Sequence, residues 1–166
     1  PASAKVLADT LIYMIDGIIA AHPDKFARGD SPEMIENNFE KGLISLPMGM
    51  ENGAPLISLD DIRYYYSKGI RYVTLTHGKD NHICDSSYDT TATWGGLSPY
   101  GLKAIAEMNN IGMIIDVSHI SDKTFYQVME HSRAPVLATH SSCRYFTPGW
   151  ERNMSDEMII ELGKHG

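Results

Sequence analysis

The feature that most constrains this chain is the alternation of short, nearly unbroken apolar runs with helix-periodic segments. LISLPMGM (43–50), RYVTLTH (71–77), GMIIDVSH (112–119) and APVLATH (134–140) are the runs. Strands built from them must be covered on both faces, as in a parallel sheet. Helix signals lie between and around them. Val6, Leu7, Leu11, Met14, Ile15, Ile18 and Ile19 recur at three- and four-residue spacing up to His22-Pro23, which predicts an amphipathic or largely buried first helix. Ser31-Pro32-Glu33, Ser58-Leu59-Asp60-Asp61, Ser121-Asp122 and Ser155 are helix starts, and a further helix is predicted from about Tyr100 to Asn110. The order αα-βα-βα-βα-βα argues for an α/β fold with about four consecutive parallel βα units.

In such folds the chemistry sits where strands end. The four runs end in Glu51, His77, His119 and His140, so the topology predicts one face carrying all four. Two histidines and a carboxylate suffice for a catalytic divalent metal such as zinc, because a three-ligand set leaves one position open. Glu51, His119 and His140 could form it. Any one of these histidines alone is more often a polar cap at a strand end, and Glu-Asn-Gly is also an ordinary turn. Their recurrence on successive strands favours the site. His77 reads as a further ligand, a donor to a substrate carbonyl, or a loop anchor. Asp116, inside its strand, is expected to hold backbone or a neighbouring ligand. Arg144 and Arg152 are both candidates for gripping a carboxylate. Residues 78–99 lack periodicity, and an aperiodic stretch of that length in a domain is usually functional or disordered.

Composition narrows the partners. A formal charge of −7 with no basic cluster excludes a nucleic-acid footprint. The most apolar segment, 6–21, carries Asp9 and Asp16 and does not read as a membrane span. Cys84 and Cys143 are too few for a disulfide framework. Nothing assigns a compartment, and cytoplasm and periplasm both stay open.

GIRYVTLTHGKDNHICDSS, GLSPYGLKAIAEMNNIGMIIDVSHISD and APVLATHSSCRYF followed by RNMSDEMI closely resemble the renal, or membrane, dipeptidase family of zinc peptidases, in a bacterial form. The resemblance covers most of the chain. It implies a (β/α)8 TIM-type barrel with two zinc ions, in which a metal-activated water hydrolyses dipeptides, often with a D-residue on the C-terminal side. By position it implies that Glu51 bridges the metals and that His119 and His140 hold the second one. It further implies that His77 contacts the substrate near the scissile carbonyl and that Arg152 binds the terminal carboxylate. The loop before Arg152 is slightly longer than in the animal enzymes.

Two departures accompany the match. The family's His-x-Asp at the end of the first barrel strand has no counterpart, since His22-Pro23-Asp24 follows a helix, and the late-strand aspartate is not reached. A full barrel needs about 250 residues. Residues 1–166 are therefore expected to form a single partial domain, an internal piece of a barrel that by itself lacks activity. Its open edges and apolar inner face favour association, including with a second copy. The rival readings are a non-catalytic truncated module and another amidohydrolase-like metal hydrolase acting on lactones or cyclic amides.

Overall fold

The computed structural model describes residues 2–165. The elements are α1 (Ala2–Ala21), β1 (Phe26–Arg28), α2 (Pro32–Glu40), β2 (Ile44–Leu46), β3 (Met48–Glu51), α3 (Leu59–Ser67), β4 (Ile70–Thr74), α4 (Pro99–Ile111), β5 (Ile114–Asp116), α5 (Asp122–His131), a 3₁₀ turn (Arg144–Phe146) and α6 (Asp156–His165). Side-chain caps set the helix starts. Ser31, Ser58, Ser98 and Ser121 each accept from a backbone N–H of the first turn, and Ser58 with Asp61 forms a reciprocal capping box.

β3, β4 and β5 form a parallel sheet in that order, an arc of three strands with a helix after each. The register places Gly49, Tyr72 and Ile114 in one row and Glu51, Thr74 and Asp116 in the next. Because side chains alternate, both rows share one face. The opposite face carries Met48, Met50, Val73, Ile115 and Val117, which are buried in one core with Ile62, Tyr65, Ile105, Met108, Phe125 and Val128 of the helices. Glu51 thus closes its strand on the face away from the helices.

Three expectations need correction. The run 43–50 is two strands, because Pro47 has no N–H to give a ladder. β2 pairs in parallel with β1, a three-residue strand too short to show periodicity, whereas β3 pairs with β4. The run 134–140 forms a single bridge instead of a strand. Leu137 pairs with Asp116, exchanging bonds with Val117 and Ile115 at 2.7 and 2.9 Å. Pro135 removes a donor before it, and the Thr139 N–H turns to the Asp116 carboxylate. The first helix forms as predicted but is not buried. Ile12 packs into the core, while Val6, Leu7, Leu11 and Met14 are between 49% and 65% exposed. Leu7 and Leu11 line an open groove of ≈ 560 Å³ beside Met48 and Met50. Among the described residues no helix is long and apolar enough to cross a membrane.

The long segment after β4 is ordered by side chains instead of a ladder. Asp80 accepts from the N–H groups of Ser86 and Thr93, and Asp85 from those of Trp94 and Gly96. It packs on α4, where the Cα of Gly101 lies directly against the Ile83 carbonyl oxygen, leaving no room for a Cβ. Gly101→Ala therefore tests this contact. Helix propensity alone would raise stability by about 1 kcal/mol. The clash with backbone is expected to lower it by about 1–3 kcal/mol instead. An unchanged or raised urea midpoint would show that the loop does not seat on α4 in this way.

Candidate metal centre

Each histidine stands three residues beyond a residue of the sheet: His77 after Thr74, His119 after Asp116, His140 after Leu137. The chain has left the ladder by then, and local bonds hold it. Ser86 Oγ donates to the His77 carbonyl at 2.5 Å, and the Ser87 N–H donates to the His119 carbonyl at 2.8 Å. His119 adopts φ 70°, and Asn52, directly after Glu51, adopts φ 76°. Left-handed backbone at a non-glycine residue costs of order 1 kcal/mol or more and persists only where the surroundings impose it. At His119 the Ser86–Ser87 stretch does so, aided by an antiparallel bridge from Ser86 to Ile120, while Asn52 belongs to a residue type that tolerates this region and its Oδ1 accepts from the Ala54 N–H.

The side chains then converge. Glu51 Oε1 lies 3.1 Å from His119 Nε2 and 3.1 Å from His140 Nε2, and those two nitrogens are 2.8 Å apart. His77 Nε2 is 3.5 Å from the same oxygen, with its ring centroid 4.3 Å from that of His119. Arg152 reaches in from the loop before α6. Its Nη2 donates to His119 Nε2 at 3.2 Å and to the His140 carbonyl at 2.8 Å, and its Nη1 donates to Ser141 Oγ at 3.0 Å. Tyr88 stands 5.9 Å from the His119 ring.

This arrangement has more lone pairs than protons. His119 is 7% exposed, and its pKa is lowered to about 4 by burial first, then by Arg152, His77 and His140, with Glu51 opposing. It is neutral at pH 7, so it brings no extra proton to the carboxylate. Donor atoms around a tetrahedral zinc with bonds of about 2.0–2.2 Å stand roughly 3.3 Å apart. The triangle of Glu51 Oε1, His119 Nε2 and His140 Nε2 is close to that spacing, so the residues fit a divalent metal. Glu51, His77 and His119 also bring one ligand atom each within 4.8 Å of one another. His140 lies nearer Glu51 than His77 does, which makes the first triangle the compact one and leaves His77 at its edge.

Beneath it lies Asp116, with no exposed surface. Its carboxylate accepts from Thr74 Oγ1 and Thr139 Oγ1 at 2.6 Å each, and from the N–H groups of Ser118 and Thr139 at 3.0 Å each. Burial alone would raise its pKa, but these four bonds outweigh it and hold it below the ordinary range.

Of the residues expected from sequence, Glu51, His77, His119, His140 and Arg152 are brought together. Arg144 is not. Its guanidinium forms a two-bond fork with Asp122 at 2.6 and 2.7 Å and donates to the carbonyls of Glu151 and Asn153, on either side of Arg152. Thr74, Ser118 and Thr139 were missed. For two of them a signal was present, since a hydroxyl residue directly precedes the histidine in Ser118-His119 and Thr139-His140, whereas Thr74 lies three residues before His77 with nothing in the sequence to mark it. Ser118 Oγ accepts the N–H of His140, and Thr139 Oγ1 meets its Nδ1.

The chain has counterparts both in sequence and in solved structures. The profile described as membrane dipeptidase, peptidase family M19, matches residues 4–166. An uncharacterized dipeptidase of Schizosaccharomyces pombe is 38% identical over 128 residues, which is 75% of this chain and 30% of that protein. The crystal structure of the probable dipeptidase PvdM from Pseudomonas aeruginosa superposes with TM-score 0.88 at 30% identity, covering 93% of this chain and 40% of that one. A metallo peptidase from Rhodobacter sphaeroides, solved with a phosphinate mimic of L-Ala-D-Ala, superposes with TM-score 0.79 at 25% identity, covering 95% and 45%. The chain spans about a third of the length of the curated relatives it matches.

The lowered His119 pKa gives a test in metal-free protein. The unfolded chain takes up a proton near pH 6.5 that the folded imidazole refuses until about pH 4. Stability from this group is therefore complete above pH 6.5 and is lost as pH falls toward 4, by about 3 kcal/mol at most. NMR titration should show the His119 ring protonating below pH 5. Protonation near pH 6.5 would mean that the ring is not buried beside Arg152 and the imidazoles of His77 and His140.

Proposed function

The chain belongs to the membrane dipeptidase family, peptidase family M19, and from that premise we propose that it carries one metal's ligands and the substrate-gripping residues of a zinc-dependent dipeptidase. The observation that supports this most is the meeting of Glu51, His119 and His140 within 2.8–3.1 Å of one another, with an arginine at their side. Glu51, His119 and His140 would hold the ion. Zinc bound there supplies a Lewis acid that polarises a carbonyl and makes water acidic enough to attack near neutral pH.

The other residues bind and orient. His77 stands at the edge of the ligand triangle, and in its neutral form its ring can donate a hydrogen bond to a carbonyl oxygen over the site. Arg152 offers a planar fork suited to a free terminal carboxylate. Its contacts to Ser141 Oγ and the His140 carbonyl hold the guanidinium in place. Its third contact is to His119 Nε2. One lone pair cannot serve both a metal and an N–H, so loading the site turns that N–H free for substrate. This favours dipeptides with an unblocked C-terminus, the class represented by the L-Ala-D-Ala mimic bound to the Rhodobacter relative.

The strand-borne His-x-Asp expected for the other metal is not among these residues, so metal binding and turnover should separate. With the 166-residue chain, calorimetry should show one Zn²⁺ bound per chain, lost in His140→Ala, and no hydrolysis of L-Ala-D-Ala. Failure to bind zinc would overturn the ligand assignment. Zinc-dependent hydrolysis that disappears in His140→Ala would overturn the need for the second set of ligands.

A further inference from the structure

We propose that Thr139 is a positioning residue that fixes the tautomer of His140, relaying the charge of Asp116 to the imidazole so that the ring proton sits on Nδ1 and the Nε2 lone pair points at Glu51 and His119. The carboxylate cannot do this alone. Asp116 Oδ2 is 3.8 Å from His140 Nδ1, beyond hydrogen-bond range. Thr139 Oγ1 lies between them, 2.6 Å from the carboxylate and 2.7 Å from the ring nitrogen.

A hydroxyl has one proton to give. The geometry decides where it goes, because Asp116 is surrounded by donors only: Thr74 Oγ1, the two backbone N–H groups and Thr139 Oγ1 all aim at it. A Thr139 proton turned toward His140 would leave two oxygens 2.6 Å apart with no hydrogen between them. The hydroxyl therefore donates to Asp116 and accepts from His140, which requires the proton on Nδ1. The β-branched side chain of Thr139 has few rotamers, and its own N–H is tied to Asp116 Oδ1, so the relay does not swing. From the other side, the His140 N–H donates to Ser118 Oγ at 3.1 Å. Ring orientation and tautomer are thus set before any ion arrives, as for metal-ligating histidines in general, whose second nitrogen usually donates to a carboxylate, carbonyl or water. His119 has no such partner among the described residues, where its buried Nδ1 meets no hydrogen-bonding group.

The tautomer is a property of the protein without metal, whereas its consequence for affinity rests on the zinc reading above. Two measurements keep them apart. In long-range ¹H–¹⁵N spectra of the metal-free protein, His140 should show protonated Nδ1 and unprotonated Nε2. Thr139→Ser should preserve that pattern. Thr139→Val, of the same shape but without the hydroxyl, should shift it toward the Nε2–H form. Thr74→Val removes a donor to the same carboxylate without touching His140, so it should lower stability and leave the tautomer unchanged. In zinc titration, Thr139→Val should bind about 10–100-fold more weakly and Thr139→Ser nearly as wild type. Wild-type His140 protonated on Nε2 would overturn the relay with no variant needed, and so would an Nδ1–H pattern that survives in Thr139→Val. The expected tautomers in a protein that binds no zinc would uphold the relay and sink the metal assignment instead.

Discussion

A buried carboxylate governs this structure. Asp116 has no exposed surface, and an ionised group in that position costs several kcal/mol unless its lone pairs are satisfied. Thr74 satisfies it from β4, Ser118 from the turn after β5, and Thr139 from the segment that follows α5. One side chain thereby ties three successive parts of the sheet at the level where they end. A slip of one residue in any of them would leave the charge unpaired. Because each histidine lies three residues past its sheet position, the same restraint that fixes the register also fixes where the imidazoles emerge. The charge is buried and its hydrogen bonds are local, yet what it sets is the spacing of a site above it.

Much of this was legible in the residues. Apolar runs gave the strands at β4 and β5, serine caps gave the helix starts, and the polar residues closing each run gave Glu51, His77, His119 and His140 as neighbours. What could not be read were features that depend on one partner far away. Phe26–Arg28 is a strand only because Ile44–Leu46 lies beside it, and three residues carry no period. The segment at 134–140 looked like a strand by composition, but Thr139 gives its N–H to a side chain and not to a ladder. By residue type and loop position alone Arg144 and Arg152 were equivalent, and only the family resemblance singled out Arg152. The difference between them is Asp122, at the start of α5, which takes the guanidinium of the first and leaves the second for the site.

The apolar face of α1 shows the converse. Its periodicity gave a helix that could be amphipathic or largely buried, and among its described residues only Ile12 is buried, because a pattern reports what a surface can pack against and not how much of it finds a partner. The matching solved structures are less than half covered by this chain, and Leu7 and Leu11 stay exposed along the open groove beside Met48 and Met50.

The fork of Arg144 also separates the loop before α6 into two parts with different freedom. Arg144 and Met154 exchange strand-like bonds with the chain opposite, at 2.8 Å from the Arg144 N–H to the Met154 carbonyl and 2.9 Å from the Met154 N–H to the Ser142 carbonyl. With the Asp122 fork and the carbonyls of Glu151 and Asn153 added, the stem on which Arg152 stands is closed below residues 145–150. Tyr145, Phe146 and Trp150 project from that tip into solvent. The contacts that anchor the guanidinium of Arg152 all lie outside that tip, so the reach of the arginine into the site is set by the stem and by the residues beside the histidines, and not by the aromatic turn above them.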